Sequence, residues 1–128
     1  MARTRGISFS KSGTESKKYS IAYVREPIND MDLFVDKRVN QSNLIKRTAN
    51  KLDFKVCKQF GGTYDDFPCD KMLVQARLLQ SFLVKNHHLI DKFIIVDEKV
   101  LPREKGHRDL YFYSVLKFYG VEVLILNQ

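Results

Sequence analysis

The segment "YSIAYVREP", residues 19–27, ends in residues that could do chemistry. Its first six residues are mostly aromatic or β-branched, which predicts a β-strand. The strand then presents Arg25 and Glu26, and Pro27 follows them. In an α/β protein, ligands bind outside the carboxyl ends of the parallel strands. We therefore expect the residues around Arg25 to lie at the functional edge of the protein.

Three further predicted strands have their carboxyl ends at the same edge, at Phe60–Thr63, Asp97–Lys99 and Asn127. The glycine pair in the first of these segments lacks the G-x-G-x-x-G spacing of a dinucleotide site. The chain also contains no G-x-x-x-x-G-K-[S/T] motif, which would indicate a P-loop. We expect no small-molecule cofactor.

Histidine and cysteine residues do not form a metal-ligand pattern. His87 and His88 are adjacent, so on a helix their side chains would point about 100° apart. Cys57 and Cys69 cannot hold a metal by themselves, and we expect both to be free thiols, as is usual in a reducing compartment. The sequence predicts no metal site.

Neither a membrane span nor a secretory signal is recognisable. No run approaches the ~18 consecutive apolar residues that a membrane helix requires. The N-terminus carries charges but no apolar h-region. The sequence thus predicts a cytoplasmic protein without a membrane partner.

Strands and helices are predicted to alternate along residues 19–126. In the clearest helix, Met72, Ala76, Leu79 and Leu83 recur every three or four residues. The alternation indicates an α/β fold with a parallel sheet and helices on both faces. We predict a small flavodoxin-like, three-layer domain with a four-stranded parallel sheet. The predicted strands are 19–25, 53–60, 92–96 and 121–126, the predicted helices are 39–52, 70–88 and 109–119, and 97–109 is a polar loop.

The chain is strongly basic. Twenty-two lysines and arginines outnumber fifteen acidic residues, which gives a formal net charge of +7 over 128 residues. This balance favours polyanionic partners such as nucleic acids. Residues 1–18 lack apolar periodicity and are rich in basic residues, which predicts a flexible basic arm. Residues 19–128 have the length of one domain.

Several separated stretches resemble the N-terminal catalytic domain of the serine recombinases, the resolvases and invertases. Tyr23–Pro27 stands where that family reads Y-x-R-V-S. Gln41, followed by Leu44 and Ala49, resembles the glutamine, leucine and alanine of the family's first helix. The stretch "FGGTYDDFPCDKMLVQARLL" is similar to a segment that begins F-G-G-T-Y-E-S, and "FYGVEVLILN" is similar to a helix followed by G-V-x-V. The resemblance implies a resolvase-like fold over residues 19–127.

The resemblance also implies a reaction and a set of contacts. A serine hydroxyl of these enzymes attacks a DNA phosphodiester in line, and cations surround the phosphate oxygens. Arg25 stands at the first arginine, and the family's D-R-L-S-R corresponds to Lys99–Arg103. The family's middle arginine, expected before the long helix, falls near Lys71 or Met72. The candidate phosphate or DNA contacts are therefore Arg25, Lys71, Lys99 and Arg103; for the two arginines, the alternative is that they are solvated loop residues.

The chain departs from the family at the nucleophile. Pro27 stands at the serine position and has no nucleophilic atom, and Glu26 stands at the preceding valine. The nearest serines are Ser20, at the start of the strand, and Ser42, on the next helix. Val100 replaces the first arginine of D-R-L-S-R. We assign no catalytic residue and predict that the chain does not cleave DNA by the serine route.

Three functions follow from these observations. The first is a catalytically inactive recombinase-like protein that binds DNA weakly or indirectly, and that oligomerises with itself or regulates an intact serine recombinase. The second is an active nuclease or recombinase that uses a different nucleophile. The third is an interaction protein independent of nucleic acid, since one fold serves many functions. We favour the first.

Overall fold

The computed structural model describes residues 19–26, 41–63 and 70–126, without the side chains of Glu26, Thr63 and residues 70–72. The predicted N-terminal arm and Pro27 lie outside the described residues. The α-helices and strands are β1 (Tyr19–Glu26), α1 (Gln41–Lys51), β2 (Lys55–Thr63), α2 (Asp70–Asn86), β3 (Ile90–Ile95), α3 (Lys105–Arg108), α4 (Ser114–Phe118) and β4 (Glu122–Ile125). Short 3-10 turns occupy His87–Leu89 and Glu98–Val100, and a π-helical turn, Asp109–Tyr113, joins α3 to α4.

The strands form one parallel sheet in the order β2-β1-β3-β4. β1 lies between β2 and β3, and every residue from Ser20 to Arg25 is buried. A strand that is covered on both faces must be apolar along its length, as parallel strands are. The predicted α/β fold with a four-stranded parallel sheet is confirmed.

Helices cover both faces of the sheet, and each face has its own apolar core. α1 packs on one face, where Ile45 belongs to the same apolar cluster as Ala22 and Val24 of β1. α2 and α4 pack on the other face. There the Tyr23 ring meets the Phe112 ring edge-on, with the ring centroids 5.1 Å apart. The three-layer arrangement therefore follows from the apolar stripes of the helices.

β2 continues further than its sequence predicts. We expected the strand to end at Phe60, because glycine usually interrupts strands, yet it runs through Gly61 and Gly62 to Thr63. Gly61 has φ +103°, and a Cβ atom there would lie 1.9 Å from the carbonyl oxygen of Val24. The glycine thus permits β1 and β2 to approach each other closely.

The prediction of a polar loop over 97–109 is wrong in part. A 3-10 turn forms at Glu98–Val100, and the last helical segment begins at Lys105 instead of Asp109. α3 has no buried residue, so no apolar periodicity marks it in the sequence. Gly120 ends the segment with φ +72°, in the left-handed conformation expected of a glycine after a helix.

The bounds of the other elements differ by a few residues. α2 ends at Asn86, two residues before the predicted end, and β3 begins at Ile90. Within the ranges given above, no helix is both long enough and apolar enough to cross a membrane.

Candidate functional site

The carboxyl ends of β1, β2 and β3 meet at one edge of the sheet. Arg25 stands opposite Gly62 in the β1–β2 pair. β1 also contacts the turn Glu98–Val100, which follows β3. We call this region, built from Arg25, Gly62 and the turn Glu98–Val100, the carboxyl edge.

The side-chain amide of Gln41 holds Arg25 in place. The backbone N–H of Arg25 donates to Gln41 Oε1 over 3.1 Å, and Gln41 Nε2 donates to the carbonyl oxygen of Arg25 over 2.5 Å. Gln41 is the first residue of α1 and is buried. Because β1 pairs with β3 only as far as Ala22, the amide satisfies backbone groups beyond the point where the paired register ends. The first turn of α1 therefore fixes the end of β1.

Arg25 itself is buried, with 4% of its surface exposed. The alternative of a solvated loop arginine is therefore wrong for this residue. Removing a charged group from water costs free energy unless its surroundings compensate for it. Arg103, by contrast, is exposed, so for it the solvated alternative stands.

The segment after β3 is organised by short-range hydrogen bonds. The backbone N–H of Lys99 donates to Asp97 Oδ1 over 2.9 Å, which caps the turn Glu98–Val100. Arg108 donates to the carbonyl oxygen of Arg103 over 2.9 Å, and its guanidinium lies 3.9 Å from Glu98 Oε1. Arg108 therefore ties α3 back to the segment that follows β3.

A cavity of 210 Å³ opens in this segment. Both cations and carboxylates line it, so its wall carries positive and negative charges. The lining residues are Asp97, Glu98, Lys99, Arg103 and Arg108. An anionic group that enters would meet three cations, but it would also meet the two carboxylates.

Tyr113 donates a hydrogen bond of 2.5 Å to Glu98 Oε2. Burial, together with this hydrogen bond to a carboxylate, raises the pKa of the Tyr113 hydroxyl above its ordinary value. The hydroxyl consequently stays protonated near neutral pH and orients Glu98. Tyr113 is thus a hydrogen-bond donor here, because a nucleophile would need a lowered pKa or a base poised to accept its proton.

None of the serines that the structure describes stands at the carboxyl end of β1 or lines this cavity. Ser20 is buried within β1, near its start. Ser42 donates its hydroxyl to Gln59 Oε1 over 3.2 Å. Ser81 and Ser114 belong to α2 and α4.

The structure brings together some of the predicted contacts. Lys99 and Arg103 line the same cavity, whereas Arg25 lies at the end of β1 and does not line it. Lys71 is in the first turn of α2, and its side chain is not described. Sequence reasoning missed the part played by Arg108, because Arg108 lies in a stretch that reads as a loop. No group of histidine, cysteine and acidic side chains in the described ranges could hold a metal ion.

Two solved structures share this architecture. One is the C-terminal catalytic domain of ISC1926 TnpA, an IS607-like serine recombinase, with a TM-score of 0.58, 16% identity, and coverage of 84% of this chain and 67% of that chain. The other is the N-terminal catalytic domain of TP901-1 integrase, with a TM-score of 0.64, 14% identity, and coverage of 86% of this chain and 78% of that chain. The fold is that of a serine recombinase catalytic domain. The resemblance seen in the sequence is confirmed at the level of the fold.

Sequence comparison does not add to this likeness. No protein-family model and no curated protein matches the chain. At 14–16% identity, the two structures share the recombinase catalytic fold with this chain, and the chemistry of the carboxyl edge has to be argued from its own residues.

Proposed function

We propose that this recombinase-like domain does not break DNA by the serine route, and that it acts as a DNA-binding, oligomerisation or regulatory partner. The fold shared with serine recombinase catalytic domains supports DNA or a recombinase as the class of partner. The basic composition of the chain supports DNA as well.

One observation carries the proposal. β1 presents Arg25 at the carboxyl edge, buried and clamped by Gln41, and the chain continues with Glu26 and Pro27. Neither residue has a hydroxyl group. No described serine stands at the carboxyl end of β1 or lines the neighbouring cavity. Attack on a phosphodiester needs a nucleophile within reach of the phosphorus atom.

The cations at this edge suit binding better than group transfer. Lys99 and Arg103 are proposed to contact phosphate oxygens, as are Arg25 and Lys71. Glu98 and Asp97 share the cavity with Lys99 and Arg103, and their negative charges would oppose the charge that grows on a phosphate during its transfer.

A plasmid-nicking assay tests the proposal. The full chain is incubated with supercoiled plasmid, and Glu26→Ala and Arg25→Ala variants with native circular dichroism serve as controls. We expect no nicked plasmid and no covalent protein–DNA adduct, together with DNA retardation that weakens as salt rises. Nicking by the unaltered chain that either substitution abolishes would overturn the proposal in favour of a different nucleophile. Absence of retardation at low salt would exclude DNA as the partner.

A further inference from the structure

Within the residues that the structure describes, most of the net positive charge lies in one part of the fold. α1 and β2, with the turn that joins them, carry five basic residues and one acidic residue, Asp53. The net charge of this part is +4, whereas residues 19–26 and 70–126 together carry a net charge of +2. All five cations are exposed, and we call them the α1–β2 flank: Lys46, Arg47, Lys51, Lys55 and Lys58.

Several cations elsewhere in the fold have acidic neighbours. Lys92 pairs with Glu122, and Lys105 pairs with Asp109 at 2.9 Å. Among the residues that the structure describes, no flank cation lies within ion-pair distance of a carboxylate. Lys58 instead lies 5.6 Å from the centre of the Phe60 ring. The flank therefore presents charge that its described surroundings do not cancel.

Contacts at both ends keep α1 alongside β2. At one end, Ser42 Oγ donates to Gln59 Oε1 over 3.2 Å. At the other end, the N–H of Phe54 donates to the carbonyl oxygen of Ala49 over 2.7 Å, and Asp53 turns the chain with φ +61°. β2 is an edge strand of the sheet, so no further strand covers this side within the described sheet.

The spacing of the cations suits a repeating anion. Arg47 and Lys51 are one helical turn apart, about 6 Å along the axis at a rise of 1.5 Å per residue. Lys55 and Lys58 stand opposite Tyr19 and Ile21 in the register, on the α2 side of the sheet, so the cations of α1 and of β2 lie on either side of the free edge of β2. Lysine is a point charge that binds phosphate without demanding a fixed geometry.

We propose that the α1–β2 flank is a docking surface for the phosphate backbone of duplex DNA, separate from the carboxyl edge. The inference rests on the proposed function only in taking DNA as the partner. Contacts of this kind position a protein on DNA and carry no sequence information. The flank is accordingly a general anchor, and the carboxyl edge remains available for a second phosphate group.

Fluorescence anisotropy with a labelled duplex measures the contribution of the flank. The apparent affinity is recorded over a series of salt concentrations for the unaltered chain and for the triple variant Lys46→Gln, Arg47→Gln, Lys51→Gln. Each phosphate contact contributes about −0.9 to the slope of log K against log salt. We expect the slope to become shallower by about 2.7 in the triple variant, because three contacts are lost.

A matched triple variant controls for net charge. Arg77→Gln, Lys85→Gln and Lys117→Gln remove the same charges, one arginine and two lysines, from α2 and α4, and these three residues are also exposed. We expect this variant to change the slope by less than about 0.9, one phosphate contact. An equal change in both variants would assign the effect to net charge alone and would overturn the proposal.

The lysines of β2 have an alternative role, since lysine on an edge strand discourages aggregation. In a Lys55→Gln, Lys58→Gln variant, an unaltered slope together with increased self-association in sedimentation would assign these two lysines to that role and overturn their place in the docking surface. The outcome is distinguishable from failure of the proposed function, which shows as plasmid nicking. Plasmid nicking with no change in how the salt slope depends on the flank would overturn the proposed function. Binding whose salt slope depends on the flank, without nicking, would support both the proposed function and the docking surface.

Discussion

The two hydrogen bonds between the Gln41 side chain and the Arg25 backbone should be among the polar contacts whose loss destabilises the fold most. Replacing Gln41 by alanine removes two buried hydrogen bonds and leaves the N–H and C=O of Arg25 without these partners. We expect the free energy of unfolding to fall by about 2–4 kcal/mol, from about 1 kcal/mol for each lost bond plus the penalty for unsatisfied buried groups. For a chain of this size, the melting temperature should fall by roughly 10 °C.

Urea unfolding followed by circular dichroism measures the loss, and Lys46→Ala is the matched control. Lys46 is exposed on the same helix, so its substitution should change the free energy of unfolding by no more than about 0.5 kcal/mol. The reasoning is refuted if Gln41→Ala and Lys46→Ala destabilise the chain equally. That result would mean that the two hydrogen bonds of the Gln41 amide add no more to the free energy of unfolding than an exposed side chain does.

The variant Gln41→Glu adds a pH dependence with a definite sign. Its carboxyl group accepts from the N–H of Arg25, but it donates to the carbonyl oxygen only when protonated. Burial and that hydrogen bond should raise the pKa of the introduced carboxyl in the folded state above its unfolded value of about 4.3. The folded state then binds more protons, so stability should fall as the pH rises above about 4. A loss of stability in Gln41→Glu that stays the same between pH 4 and pH 7 would contradict this account.

Two further predictions concern packing and the Tyr113 hydroxyl. Gly61→Ala should destabilise the chain by about 2–4 kcal/mol, because the added Cβ overlaps the carbonyl oxygen of Val24 and the backbone is strained for an L-residue. Gly62→Ala meets no atom within 4 Å and carries only the strain of its φ of +150°, so it should cost about 1 kcal/mol in urea unfolding, and equal losses would contradict the contact at Gly61. Tyr113→Phe should lower stability by about 1–2 kcal/mol at neutral pH, through loss of the bond to Glu98. Because the pKa of Tyr113 is raised on folding, its hydroxyl contributes fully to stability below pH 10, and this contribution declines above pH 10. The difference in free energy of unfolding between the unaltered chain and Tyr113→Phe should therefore narrow above pH 10. A gap that widens above pH 10 would refute the assignment.

The fold was predictable because its main signals are local. Apolar side chains every three or four residues mark α2, and the short apolar run around Phe93 marks a buried parallel strand. Alternation of the two kinds of element leaves few topologies besides a parallel sheet with helices on both faces. α3 escaped prediction because it is four residues long and buries none of them, so it has no apolar pattern.

The carboxyl edge was predictable only in outline. The sequence placed Arg25 at the end of a strand, and the parallel arrangement explains why other strand ends lie near it. Nothing local indicates that Arg25 is buried, or that Arg108 joins Lys99 and Arg103 around one cavity. The burial of Arg25 depends on how segments that are distant in the chain pack around it, and the cavity depends on how residues 97–108 fold back on themselves.

Apolar periodicity, charge and the residues at the strand ends were thus determined by the sequence itself, including the absence of a hydroxyl at Pro27. Only the tertiary structure decided which polar groups form hydrogen bonds with one another. Gln41 meets Arg25 across a separation of 16 residues, and Tyr113 meets Glu98 across 15. Periodicity reports which side of an element faces an apolar surface, whereas a hydrogen bond forms only when two groups arrive within about 3 Å in a suitable direction. Packing of α1 and of the π-helical turn against the sheet brings these groups together, and no local pattern encodes that approach.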